Sequence, residues 1–345
     1  MRFSTCVEID LDALKHNIGE VRSRTGEGQR IMLVVKADAY GHGAVEVARA
    51  AVRNGVDMFG VATLQEGIEL RQAGIEAPVL ILSPPLEDET AQVIEYDLAC
   101  SVPSLAVARA LSRVCVERGR SGSVHVEVDT GMGRCGVGPD EALPFVTAVS
   151  KLPGLSLDGV FTHFPASDED PEFTRGQIAD FEAFTTRLQR KGIDVPLKHA
   201  ANSGALLGVG ESLVPPLNMV RPGLMVYGLS PSEAVGRDAD LKPVMTFKSR
   251  IAQIRELGAG HPVSYGMTFR TPRAMRIAVV PAGYGHGYSW RLSNKGEVLI
   301  GGRRAPVVGR VTMDVTLVDV ETVPEARVGD EVVLFGKQGD QEISV

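Results

Sequence analysis

Lys36 closes a short apolar run, residues 31–35, and is followed by a loop carrying Gly41 and Gly43. An ammonium at the end of a buried strand is costly unless it is paired or chemically engaged. A desolvated lysine of this kind is suited to forming a Schiff base with an aldehyde. The same side chain could instead lie along the apolar surface and keep its head in water. Other reactive types recur at comparable places. Asp129 and Arg134 follow the run 124–128, His163 follows 157–162, His199 to Ser203 close the run 197–200, and Arg221 precedes 224–227. Taken singly, each suits a structural role equally well. The signal is their shared position at the ends of apolar runs.

Those runs must be positioned by something regular. Residues 31–35, 58–62, 79–82, 98–102, 124–128, 157–162, 197–200 and 224–227 read as buried strands. Between them, 44–54, 64–73, 88–96, 104–118, 140–152, 172–191 and 203–210 have helical spacing, and Gly55, Gly74, Gly119 and Gly192 sit at their C-terminal ends. Residues 8–14 open a first helix, with Asp10 as its cap. Alternating strands and helices of this number predict an α/β fold, a parallel (β/α)8 TIM-like barrel, whose reactive groups belong at the C-terminal ends of strands. A doubly wound open sheet is the alternative. After Gly228 the texture changes. A polar, irregular linker at 230–241 leads to short β-branched runs at 244–254, 276–280, 298–300, 305–311, 316–320 and 331–335. These predict a C-terminal all-β domain. The expected division is residues 1–235 for the barrel and 236–345 for the β domain. The chain stops at Val345 in what reads as the middle of an element, and a truncated tail is expected there.

Composition narrows the partners. The chain has 345 residues, 44% hydrophobic and 23% charged, with net charge −7 and pI near 5.6. That balance argues against nucleic acid or an anionic membrane as partner. No apolar run approaches the roughly 20 residues of a membrane span, and the N-terminus lacks the apolar core of a signal peptide. Cys6, Cys100, Cys115 and Cys135 are widely spaced, without metal-ligand intervals, so idle thiols in a reducing cytoplasm and no metal are expected.

The segment Lys36-Ala37-Asp38-Ala39-Tyr40-Gly41-His42-Gly43 resembles the pyridoxal-phosphate attachment signature of alanine racemases. The likeness continues in order through Val128-Asp129-Thr130-Gly131-Met132-Gly133-Arg134, Thr162-His163-Phe164 and His199-Ala200-Ala201-Asn202-Ser203. It goes on through Val220-Arg221-Pro222-Gly223, Val263-Ser264-Tyr265-Gly266, Ala282-Gly283-Tyr284 and Gly309-Arg310-Val311-Thr312-Met313-Asp314. The resemblance implies pyridoxal 5'-phosphate as cofactor, alanine as substrate, D-alanine for peptidoglycan as product, and a homodimer with shared active sites. A broader-specificity or serine racemase is the alternative, because excluding a hydroxymethyl group takes only a few kcal/mol.

By that resemblance, Lys36 holds the cofactor and serves one face of the substrate, while Tyr265 of the partner subunit serves the other. Racemisation needs a proton taken from one face and another delivered to the opposite one, and two groups do this more simply than one. A phenol ordinarily titrates near ~10, so a tyrosine base needs surroundings that favour its anion. Arg221 is implied beside the pyridine nitrogen, where an always-protonated donor limits carbanion lifetime and suppresses side reactions. His163 is implied to orient Arg221 and Tyr265. Tyr40, Ser203 and the backbone of Gly223 and Leu224 are implied at the phosphate. Arg134 and the backbone of Met313 are implied at the substrate carboxylate. Tyr284, Asp168, Arg291 and Arg310 are implied to line the entryway. Two departures stand out. Many relatives carry a carbamylated lysine where this chain has Glu127, which is expected to supply the negative charge itself. The family also has a further tyrosine beyond the point where this chain ends.

Overall fold

The computed structural model describes residues 4–344. Its contact pattern divides the chain between Asp10 and Leu11 and again between Lys242 and Pro243. Residues 236–242 therefore lie with the barrel, and the described residues up to Asp10 join the C-terminal unit.

The barrel is closed by eight parallel strands: β2 (Arg30–Val34), β3 (Met58–Val61), β4 (Val79–Ile81), β5 (Ala99–Ser101), β6 (Gly122–Glu127), β7 (Leu155–Phe161), β8 (Leu197–His199) and β9 (Met219–Val220). The first strand of the chain, β1 (Cys6–Ile9), belongs to the other unit. Strands covered on both faces read as continuous apolar runs, and Met32, Met58, Leu80, Ala99, Leu197 and Met219 pack together inside the ring. Helices return the chain between strands. Leu64–Gln72, for example, starts at a capping box in which Thr63 accepts from the Glu66 N–H. No described helix is long and apolar enough to cross a membrane. All four cysteines are free, with Cys100 and Cys115 buried.

Two of the expected elements differ. Residues 224–227, expected as the eighth strand, form the buried 3-10 turn Leu224–Tyr227. The eighth strand is β9, so Arg221 follows its strand directly instead of approaching one. An apolar run cannot by itself distinguish a buried strand from a buried turn, and Pro222-Gly223 breaks the ladder after two residues. Glu8 and Ile9, expected to open a helix, lie in β1, which pairs antiparallel with β10 (Met245–Arg250). The first helix is Leu11–Arg24.

The C-terminal unit is all-β. Its main sheet runs β1-β10-β18-β15-β16, with β15 (Glu297–Ile300), β16 (Arg303–Pro306) and β18 (Glu331–Gln338). Beside it lies β11-β14-β17, from β11 (Gln253–Leu257), β14 (Met275–Val280) and β17 (Thr316–Asp319). The β15–β16 hairpin turns on Gly301 and Gly302, both at positive φ (58° and 73°), as a tight two-residue turn requires. The core of the unit includes Phe247, Val280, Val298, Val318, Val332 and Leu334.

Candidate active site

The rim formed by the C-terminal ends of the barrel strands encloses a cavity of about 380 Å³. Lys36, Tyr40, Glu127, Arg134, His163, Asp168, Ser203, Arg221, Gly223 and Leu224 all line it. Nine of the residues expected to act in the barrel are thus brought to one place, and Glu127 joins them.

Lys36 enters the cavity from an unusual backbone. Ala37, Asp38, Ala39 and Tyr40 lie consecutively in the left-handed region, with φ of 51°, 53°, 53° and 56°. L-residues resist this by roughly 1–2 kcal/mol each, so neighbouring contacts must impose it. The Ala37 N–H donates to Glu66 Oε1 at 2.7 Å, and Asp38 Oδ1 accepts from the Ala44 N–H at 2.7 Å. Ala39 is fully buried, and the Tyr40 ring packs on Tyr227 at 5.0 Å between centroids. Tyr227 donates its hydroxyl to the Val34 carbonyl at 2.9 Å, which ties the turn to β2. The left-handed turn lets Lys36 and Tyr40, four residues apart, line the same cavity.

Opposite Tyr40 the backbone comes very close. A Cβ on Gly223 would sit 2.7 Å from the Tyr40 hydroxyl, so any other residue would have to displace the Tyr40 ring. Ser203 Oγ accepts from the Gly223 N–H at 3.0 Å and the Met225 N–H at 3.3 Å. Burial raises the Tyr40 pKa, keeping its hydroxyl a neutral donor. Tyr40, Ser203 and the turn at Gly223 and Leu224 form a donor set suited to an anion.

Arg221 is 4% exposed. Its Nη1 donates to His199 Nδ1 at 2.7 Å, and its Nη2 to the carbonyls of Thr162 (2.8 Å) and Ala200 (3.0 Å) and towards His163 Nδ1 (3.2 Å). The guanidinium stands over the Phe161 ring at 5.3 Å. Burial pulls its pKa down to about 10, a shift opposed by the Glu127 carboxylate. His163 is pushed down to about 3, chiefly by burial and then by the Arg221, Arg134 and Lys36 charges, so it is a neutral acceptor. Glu127 is raised by burial and held back by the Arg221 and Arg134 guanidiniums. Among the described residues no ion pair joins it to either arginine; the coupling is through space. Arg134 is carried by a loop that Asp129 organises. Its Oδ1 accepts from the N–H groups of Gly131, Met132 and Gly133 at 2.8–3.1 Å, as Asp does in tight turns. Burial alone would raise the Asp129 pKa, and these bonds turn the net shift downward.

The remaining expected residues lie in the β unit. Tyr265 is 74% exposed on a turn whose backbone is forced at Ser264 (φ 61°), Gly266 (73°) and Met267 (49°). Ser264 pins it by donating to the Arg310 carbonyl at 2.7 Å. Tyr284, Arg310 and Met313 share a surface hollow with Tyr265, and the N–H groups of Tyr284 and Gly285 donate to the Thr312 and Met313 carbonyls. Arg291 is not in that hollow. It lines a neighbouring one, with Trp290 and Arg310. Tyr265, Met267, Tyr284, Trp290 and Met313, all half or more exposed, make a concentration of uncovered apolar side chains.

Sequence reasoning missed three groups. Glu66 holds the left-handed turn, Tyr227 backs Tyr40, and His125 bonds His199 Nε2 at 3.0 Å. The first two carry no local signal. His125 does: with Ser123 and Glu127 it puts polar residues at alternate positions of a strand whose other face is apolar.

The family model described as the alanine racemase N-terminal domain matches residues 9–231, and that of the alanine racemase C-terminal domain matches 244–345. An alanine racemase of Halothermothrix orenii is 44% identical over 341 residues, covering 99% of this chain and 89% of the relative. The alanine racemase structure from Clostridium difficile 630 superposes with a TM-score of 0.94 at 37% identity, covering 99% of this chain and 89% of that one. The same enzyme in complex with cycloserine gives 0.92 at 36%, covering 98% and 88%.

Proposed function

Since the chain belongs to the alanine racemase family, we propose that it interconverts L- and D-alanine with pyridoxal 5'-phosphate, through Lys36 and Tyr265 of the partner subunit. The observation that carries this reading is the convergence of Lys36, Arg221 and the Tyr40–Ser203–Gly223 donor set in one cavity of about 380 Å³. The residues fit the cofactor. A Cβ at position 223 would press on the Tyr40 hydroxyl, so glycine leaves room for a close-lying phosphate, and a phenol, a hydroxyl and backbone N–H groups, of which that of Gly223 now donates to Ser203, would provide its donors. When bound, the cofactor supplies an aldehyde for the lysine and an electron sink for the substrate α-carbon.

The chain's own groups do the rest. The Lys36 amine takes or returns a proton at the α-carbon on one face, and the hydroxyl of Tyr265 of the partner subunit does so on the other. Arg221 is a donor with no acceptor capacity, and its bonds to His199, Thr162 and Ala200 fix its plane. Arg134 and the Met313 backbone of the partner subunit hold the substrate carboxylate. His163 orients Arg221. Tyr284, Arg291 and Arg310 from the partner, with Asp168, frame the entryway. The exposed cluster of Tyr265, Met267, Tyr284, Trp290 and Met313 supports a homodimer that covers it. The reading includes a cytoplasmic location and a D-alanine product used for peptidoglycan.

The test is an exchange assay. The loaded protein in deuterated water is expected to label the α-position of both alanine enantiomers and to convert each into the other, with serine much slower. Absence of α-labelling from either enantiomer would defeat the proposal.

Glu127 is proposed to balance the charges of Arg134 and Arg221 and keep Arg134 available to the substrate carboxylate. Its pKa is raised, so as pH falls it takes up a proton above the ordinary carboxylate range, and the balance is lost there. The wild type should therefore show an acid limb in kcat/KM above about pH 4.3, the ordinary glutamate value. Glu127→Gln should abolish that limb and lower kcat/KM roughly tenfold across the profile, the worth of one through-space charge interaction of about one pKa unit. An undiminished Glu127→Gln enzyme with the same limb would refute the role.

A further inference from the structure

The Arg221 contact to His199 continues down the barrel axis. His199 lies on β8, and its Nε2 stands 3.0 Å from Nδ1 of His125, in the middle of β6. Both imidazoles are fully buried. His125 is held flat against the neighbouring strand: it pairs with Gly159 of β7, where any Cβ would lie 2.2 Å from its ring. His125 Nε2 is a buried polar atom without a partner. The His125 ring also borders a second cavity, of about 420 Å³. That cavity is lined by the first residues of the barrel strands, among them Arg30, Met58, Val79 and Gly122, together with Ser123 and Asp158. It therefore lies at the mouth opposite the Lys36 cavity.

The donors in this chain can be assigned from chemistry. A guanidinium only donates, so His199 Nδ1 must accept from Arg221 and carries no hydrogen. Burial holds His199 well below its ordinary pKa and His125 at about 4, so both rings are neutral and each carries one proton. The His199 proton is then on Nε2 and is donated to His125 Nδ1. The His125 proton is in turn on Nε2, facing the opposite mouth. Every bond has one donor and one acceptor, and the direction is set by Arg221. The chain ends in an N–H that lacks a protein acceptor, a deficit that a water in the adjoining cavity would relieve.

We propose that His125 is a positioning residue for Arg221: it accepts the His199 Nε2 proton, locks His199 as an Nδ1 acceptor, and donates its own Nε2 proton to a water in the cavity at the N-terminal mouth of the barrel. The relay would hold the Arg221 plane from behind without touching cofactor or substrate. It deepens the function proposed above and rests on that reading only for the importance of Arg221; the tautomers follow from the hydrogen bonds and the burial of the two rings.

The experiment labels the histidines of the pyridoxal-phosphate-loaded protein with 15N and reads their tautomers by long-range 15N–1H correlation. His199 and His125 are each expected to have a protonated Nε2 and a bare Nδ1. A protonated Nδ1 on either ring would overturn the relay whatever the enzyme's activity. Two variants probe the positioning role. His125→Asn can keep an acceptor near the Nδ1 place, whereas His125→Leu removes it. His125→Leu is expected to weaken pyridoxal-phosphate affinity roughly tenfold and to shift the cofactor absorbance band, with His125→Asn recovering most of both. Equal losses in the two variants would show simple packing and refute the role. Failure of wild-type alanine exchange with the expected tautomers intact would count against the racemase reading alone.

Discussion

Tyr265→Phe is expected to slow α-proton exchange from one enantiomer of alanine by ~10²–10⁴, the usual worth of a positioned acid–base group. Exchange from the other enantiomer should change by less than about tenfold, since the lysine-side proton transfer is retained. The asymmetry is the substance of the prediction. Phenylalanine keeps the ring and the forced turn at Ser264, Gly266 and Met267, and deletes only a hydroxyl on a residue that is 74% exposed. Thermal stability should therefore move by no more than about 0.5 kcal/mol, and any loss of exchange is chemical. Lys36→Ala should give the mirror image, losing exchange from the second enantiomer, together with loss of covalent cofactor attachment. The measurement is deuterium uptake by L- and by D-alanine, each followed separately at early time with product racemisation suppressed. A symmetric slowing in Tyr265→Phe would assign both proton transfers to one group and remove the division of labour between Lys36 and Tyr265.

The barrel was legible because its strands are apolar on both faces and its helices end in glycine. Seven of the eight runs expected as barrel strands coincide with β2 to β8, within one or two residues at their ends. The misplacement of the eighth has a specific cause. Met219 and Val220 make a ladder only two residues long, while the longer apolar run 224–227 forms a turn after it. The strand β1 was hidden because it is short, Cys6-Val7-Glu8-Ile9 shows no alternation of buried and exposed residues, and the helical spacing begins at Leu11 directly after it. At the site, side-chain identities were readable but backbone geometry was not. Nothing in Ala37-Asp38-Ala39-Tyr40 announces four left-handed residues, since none is glycine, and the contacts that impose them come from Glu66 and Ala44. The same holds for Gly159, whose necessity appears only when the His125 ring is seen against it.

The imidazoles of His125, His163 and His199 should also govern how the folded state meets acid, and His42, whose pKa burial also lowers, acts in the same sense. His125 is held at about 4, His163 at about 3, and His199 well below its ordinary value, in each case first by burial. In the unfolded chain each would titrate near ~6.5. Below that pH the unfolded state binds protons that the folded state refuses, so stability falls as pH falls. Their contribution is fully present above about pH 6.5 and is lost progressively as pH drops towards the depressed folded values. Each histidine contributes a slope of ~1.4 kcal/mol per pH unit in that window, and three together ~4. Glu127 works in the opposite sense. Its raised pKa means the folded state keeps a proton there that the unfolded chain has released, which offsets up to one histidine. The net expectation is a fall in unfolding free energy between about pH 6 and 5, of up to ~4 kcal/mol per pH unit from these three before the Glu127 offset. Against a typical total of about 5–15 kcal/mol, that is enough to bring the protein to its acid midpoint within a few pH units. Denaturant unfolding of the loaded protein at pH 7, 6 and 5 measures the slope directly, and a stability flat across that range would contradict it. His125→Asn should flatten the slope by ~1.4 kcal/mol per pH unit, because it removes one of the refused protons while keeping the acceptor that His199 requires.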